Sequence, residues 1–159
     1  MEKKGNLPMT PPLKSSLSRR LLIIIAGVLV LLAALAGAWF SSEHPPGISP
    51  RQVSSGTVTN MASMQTQTLT EANRNTFLAL YNEAEKERVE GIPVENGLEL
   101  MLLQGNKLRA TFFYQTAGRE IYVMRQNQFF SGVVNYRIGS EELADFLDRL
   151  LAEFTPDRI

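Results

Sequence analysis

The side chains that could carry out chemistry in this chain are few. His44 is the single histidine and cysteine is absent. Without a second imidazole or a thiolate, a zinc site would rest on carboxylates and water, a donor set that suits zinc poorly. A serine triad would have to recruit His44, which stands beside Pro45 in a stretch with no rigid element to aim it. Carboxylates are what remain. Glu83, Glu85 and Glu87 recur along one segment, and Glu141-Glu142 are adjacent. Glu83 and Glu87 lie one helical turn apart, a spacing an acid–base pair could use, but Lys86 and Arg88 interleave with them as on a solvated face. No Gly-x-Gly-x-x-Gly, Walker or Gly-x-Ser-x-Gly pattern occurs. The expectation is a protein that is not an enzyme, with no metal and no cofactor.

Charge points away from nucleic acid. The 159 residues carry a formal charge of zero, but it is unevenly spread. Lys3, Lys4, Lys14, Arg19 and Arg20 face one acid, Glu2, over residues 1–20. Residues 41–159 hold eleven bases and fifteen acids. A net acidic domain lacks the basic field that phosphate backbones require. The absence of cysteine also excludes disulfides and lipid attachment at a thiol.

Residues 21–40 contain no charge and end in Trp39 and Phe40. As a helix rising about 1.5 Å per residue this run is roughly 30 Å long, the thickness of a hydrocarbon core. Basic residues precede it and none follows until Arg51, so residues 1–20 are expected in the cytoplasm and residues 41–159 outside. The predicted location is the cell (inner) membrane, single-pass, with lipid as the partner of residues 21–40. The competing reading is a signal peptide cleaved near Ala38, since Ala36-Gly37-Ala38 fits a small-x-small site. That reading releases a secreted binding protein.

Residues 41–69 read as a flexible extracytoplasmic linker. Pro45, Pro46, Gly47, Pro50 and Gly56 punctuate it, and Gln52 to Thr70 contains no charged side chain. Thr57-Val58-Thr59 alternates enough to add an edge strand to the domain instead. Residues 70–159 are the expected domain. A helix capped by Thr70 runs to Gly91 and Pro93. Four strands follow over residues 98–104, 107–115, 119–125 and 128–138, joined by short turns, and a last helix is capped by Ser140. The fold class is α+β: a single transmembrane helix, then helix, four-stranded antiparallel meander, helix.

With both helices on one face, the other face would show Arg109, Phe113, Tyr122, Met124, Val133 and Arg137. Aromatic, Met and Arg side chains are those enriched in protein interfaces. Either this face docks a protein partner or a second copy, or the helices lie on opposite faces or residues 57–69 cover it, and it is ordinary core. The bases Lys107, Arg109, Arg119, Arg125 and Arg137 outnumber the single acid Glu120 over the strands. They either pair with the acids of the last helix or form an anion-recognising strip. The expected function is a membrane-anchored accessory or scaffolding protein; the alternatives are the secreted binder and a carboxylate-dependent enzyme.

Overall fold

A computed structural model of the chain describes residues 15–43, 45, 47–93, 96–126 and 132–154. Most of the basic tail, His44, Phe130 and Pro156 therefore lie outside the described residues. The chain divides into two units, Met1–Trp39 and Phe40–Ile159.

The first unit holds most of helix α1 (Ser15–Glu43). Its large apolar side chains are exposed from Leu21 onward, with Val30 at 70% and Trp39 at 69%. Among the described residues, no helix is long and apolar enough to cross a membrane. This corrects the expected transmembrane helix.

The second unit is a sheet of seven antiparallel strands, which corrects the expected four-stranded meander. The strands are β1 (Ser55–Asn60), β2 (Gln65–Thr68), β3 (Glu85–Val89), β4 (Gly97–Gln104), β5 (Lys107–Gln115), β6 (Glu120–Gln126) and β7 (Val133–Gly139). Their spatial order is β2-β1-β4-β5-β6-β7-β3. The central meander β4 to β7 is the one anticipated from the alternating pattern. The three additional strands extend it at both edges.

Two of them lie in the stretch read as linker. β1 pairs with β4 over six residues and β2 folds back on β1. The reason is apolar burial: Ile48, Val53, Val58 and Leu69 are all below a tenth exposed and belong to the core. Asn82 holds this segment in both directions, accepting from Ile48 N at 2.8 Å and donating Nδ2 to Ile48 O at 3.0 Å.

The third is β3, where the sequence predicts a continuing helix. Helix α2 (Glu71–Glu83) is capped by Thr70, whose hydroxyl accepts from Asn73 N at 3.1 Å, but it ends at Ala84 with extended backbone. Glu-Lys-Glu-Arg-Val has good helix propensity, and the open edge of β7 outweighs it by pairing with all five residues. Lys86 Nζ turns back to the end of α2, donating to Ala84 O at 2.7 Å. It also lies 4.6 Å from the centre of the Tyr81 ring. Burial, with the nearby Arg125 charge, holds its ammonium below the usual lysine range.

Helices α2 and α3 (Glu141–Ala152) share one core with the sheet. Phe77 and Tyr81 of α2 meet Phe112 of β5 edge-on, with ring centres 4.7 and 5.0 Å apart, and Phe146 of α3 lies 6.3 Å from Phe77. α3 starts at Ser140, which accepts from Leu143 N at 3.2 Å, and buries Leu143, Phe146, Leu147 and Leu150.

Candidate protein-docking face

Alternation along each strand sends Leu100, Phe112, Val123 and Tyr136 toward the helices. The remaining side chains form the opposite face, and the strand registers place them in rows. One row reads Thr66, Thr59, Glu99, Phe113, Tyr122, Arg137, Glu87 from edge to edge. The next reads Thr68, Thr57, Met101, Thr111, Met124, Asn135, Val89. Phe113, Tyr122 and Arg137 are thus direct cross-strand neighbours, with Met124 one row away.

Arg109 and Val133 occupy one end of the face. They line a groove of about 280 Å³ together with Leu108 and Met124. Leu108 is 49% exposed and Val133 57%, the largest apolar exposures on the sheet strands. Arg109 Nη2 donates to Gln104 Oε1 across the β4–β5 hairpin. A register shift at Leu102/Leu103 brings Leu108 opposite Leu103 and leaves Arg109 as the extra residue.

The face is not uniformly open. Tyr122 is only 7% exposed, Thr111 2% and Gln115 5%. For Gln115 the chain path explains this. β3 is an outer strand and β4 lies four strand positions away, roughly 19 Å at about 4.8 Å per strand. Of the connection between them, Glu90 and Pro93 meet the side of the sheet opposite the helices. Asn135 Nδ2 donates to Glu90 O at 3.5 Å, and Gln115 Nε2 donates to Pro93 O. Both donors stand on the face opposite the helices, so Glu90 and Pro93 lie on that side, and Ile92 between them is half-buried. Gly91-Ile92-Pro93-Val94 carried the signal: two large apolar residues in a stretch otherwise read only as a helix stop.

Arg109, Arg119, Arg125 and Arg137 each have a partner. Arg119 at the β5–β6 turn, with φ of 54°, meets three acids one turn apart along α3. Its Nη1 is 3.0 Å from Glu141, its Nη2 2.5 Å from Asp145 and its Nε 3.3 Å from Asp148. Tyr114 joins this cluster by donating its hydroxyl to Asp148 Oδ1 at 2.5 Å. Burial and that acceptor push the Tyr114 phenol up to about 12. The hydrogen bonds to Asp145 and Tyr114 hold the Arg119 guanidinium above its usual range. Arg137 Nη2 lies 2.6 Å from Glu87 and is likewise raised by that carboxylate, and Arg125 Nη1 donates to the Tyr81 hydroxyl at 3.3 Å. These contacts favour mutual pairing over an anion-recognising strip.

The carboxylates considered for catalysis are separated. Glu83 ends α2, whereas Glu85 and Glu87 lie on β3. Glu83 and Glu87 are therefore not one turn apart on a common helix, and Glu87 is engaged by Arg137. Among the described residues, no group of three His, Asp or Glu side chains is placed to hold a metal ion. No protein family, no curated protein and no solved structure matches this chain.

Proposed function

We propose that the chain is a non-catalytic accessory or scaffolding protein, held at the cell membrane by lipid contact along residues 21–40, whose sheet domain binds a protein partner. The observation that carries the docking part is the exposed apolar end of the face opposite the helices, where Leu108 and Val133 flank the groove with Met124 and Arg109. A contiguous apolar surface with an arginine at its rim is the composition of protein contact sites. Phe113, Tyr122 and Arg137 lie on the same face, in a neighbouring cross-strand row. Lipid is favoured as the partner of α1 because its aliphatic side chains are exposed along the helix and uncharged. The basic residues before Leu21 favour the cytoplasmic side, which supports an extracytoplasmic sheet domain.

The test uses side chains that can change without unfolding the domain. Tyr122 is too buried for this purpose. In Val133→Asp with Arg109→Glu, near-ultraviolet circular dichroism stays that of the native domain. Partner capture by the full chain, crosslinked in its native membrane, falls at least about tenfold, as when the centre of an interface is charged. Capture unchanged in that variant rejects the docking face. The mass of the mature chain separates a retained N-terminal segment from cleavage near Ala38.

A further inference from the structure

The two outer strands of the sheet are built differently. β3 carries Glu85, Lys86, Glu87 and Arg88, charges of the kind that discourage a further strand from pairing. β2 reads Gln65-Thr66-Gln67-Thr68, fully exposed, within a stretch free of charge from Gln52 to Thr70. Among the described residues, nothing pairs with its outer side.

The hairpin register shows which groups that side presents. Leu69 N donates to Gly56 O at 2.9 Å, continuing the β1–β2 pairing by one residue. Hydrogen-bonded pairs alternate along an antiparallel ladder, so Gln67 and Gln65 turn their backbone groups toward β1. Thr66 and Thr68 turn theirs outward. The short Thr59 Oγ1 to Thr66 Oγ1 distance of 2.9 Å fits this, since side chains come closest in the pairs that lack backbone bonds.

We infer that the outer edge of β2 pairs antiparallel with β2 of a second copy of this chain, about a two-fold axis through Gln67. Thr66-Gln67-Thr68 reads the same in both directions, so the axis sets Thr66 against Thr68 of the other copy twice over. Every outward N–H and C=O of these threonines then has a partner, giving four backbone hydrogen bonds. Gln67 meets its own copy as a close pair without backbone bonds, where the two side-chain amides can bond each other. Met64, 77% exposed, comes opposite Thr70 of the other copy. A neutral edge meets itself without repulsion, whereas the alternating charges of β3 would not align so simply. Four residues form a small contact, so the pairing is weak in dilute solution and is strengthened where copies share one surface. It uses a surface separate from the Val133 end and stands whether or not that end binds a partner.

The chain has no cysteine, so one can be introduced alone. Across such a close pair the two Cα atoms lie about 4.5 Å apart, within disulfide range. Full-length Gln67→Cys, in its membrane or in micelles, is expected to form a disulfide-linked dimer at least about tenfold faster than Glu85→Cys on the opposite edge, because only the former meets disulfide geometry. Adding Thr68→Pro removes an outward N–H and leaves the bonds to β1, so crosslinking falls to the Glu85→Cys level with the unfolding temperature held. Equal rates for the two cysteines overturn the inference. So does crosslinking that survives Thr68→Pro, or a Gln67→Cys disulfide formed with a different protein.

Discussion

Phe112 is the residue on which the two layers meet, 1% exposed with Phe77 and Tyr81 edge-on to its ring. Phe112→Ala leaves a cavity that neither a strand nor a helix can close alone. The expected loss is about 3–5 kcal/mol of unfolding free energy, read by urea denaturation. Gly97 is constrained for a different reason. A Cβ there would come within 1.8 Å of the Tyr114 carbonyl oxygen, so Gly97→Ala forces the β4–β5 ladder apart. Tyr114 supplies a pH prediction. Its phenol is raised in the folded domain, so below about pH 10 it is neutral in both folded and unfolded chains and adds no slope. As pH rises from about 10 to about 12, the unfolded chain releases the proton first and stability falls. Spectrophotometric titration is expected to show a phenolate step near 12 that is missing in Tyr114→Phe. A step at the ordinary tyrosine position would mean that neither burial nor Asp148 holds the proton.

At the scale of elements, the caps Thr70 and Ser140 do what their sequence positions suggest, each accepting from the backbone three residues on. Thr70→Ala and Ser140→Ala are each expected to cost about 1 kcal/mol in thermal or urea unfolding. The segment before α2 gives a sharper result. Ile48, Val53, Val58 and Leu69 are core residues, and Asn82 ties Ile48 to α2. A chain beginning at Thr70 therefore lacks two strands of the sheet and exposes Leu100 and Leu102 of β4. It is expected to be aggregated or molten, with near-ultraviolet dichroism lost, whereas a chain beginning at Ser42 keeps the native spectrum. Cooperative unfolding of the shorter chain would mean that β1 and β2 are an accessory to the core. The change from helix to strand at Ala84 belongs to this scale too, since the edge of β7 decides it.

For the whole molecule, the two units make independent predictions. α1 presents exposed aliphatic side chains from Leu21 to Leu35. The full chain is expected to float with anionic vesicles in a density gradient and to resist alkaline extraction, and a chain beginning at Ser42 to do neither. Protease added from the cytoplasmic side is expected to spare the sheet domain, and digestion of that domain would reverse the proposed orientation. The sheet domain has two separate surfaces: the apolar end around Leu108 and Val133, and the neutral outer edge of β2. Charging the first leaves self-pairing through the second intact, so the two readings stand or fall separately.

The amino-acid sequence alone determined whatever depends on neighbours along the chain. The meander β4 to β7, the two caps, the amphipathic α3 and the uncharged run of residues 21–40 are all local patterns of period two, period 3.6 or plain hydropathy. Which side of the sheet Phe113, Tyr122, Met124, Val133 and Arg137 occupy was legible for the same reason, because alternation assigns a side once one side is known. What only the tertiary structure decided is which edges the sheet finds. Backbone pairing joins residues more than forty positions apart, as Lys86 joins Ile138 and Ser55 joins Leu103, and a sequence window does not see such a partner. That is why residues 85–89 are strand despite helical propensity, why Ile48, Val53, Val58 and Leu69 are core despite a linker's composition, and why Gln115, on the face opposite the helices, is buried with Pro93 against it.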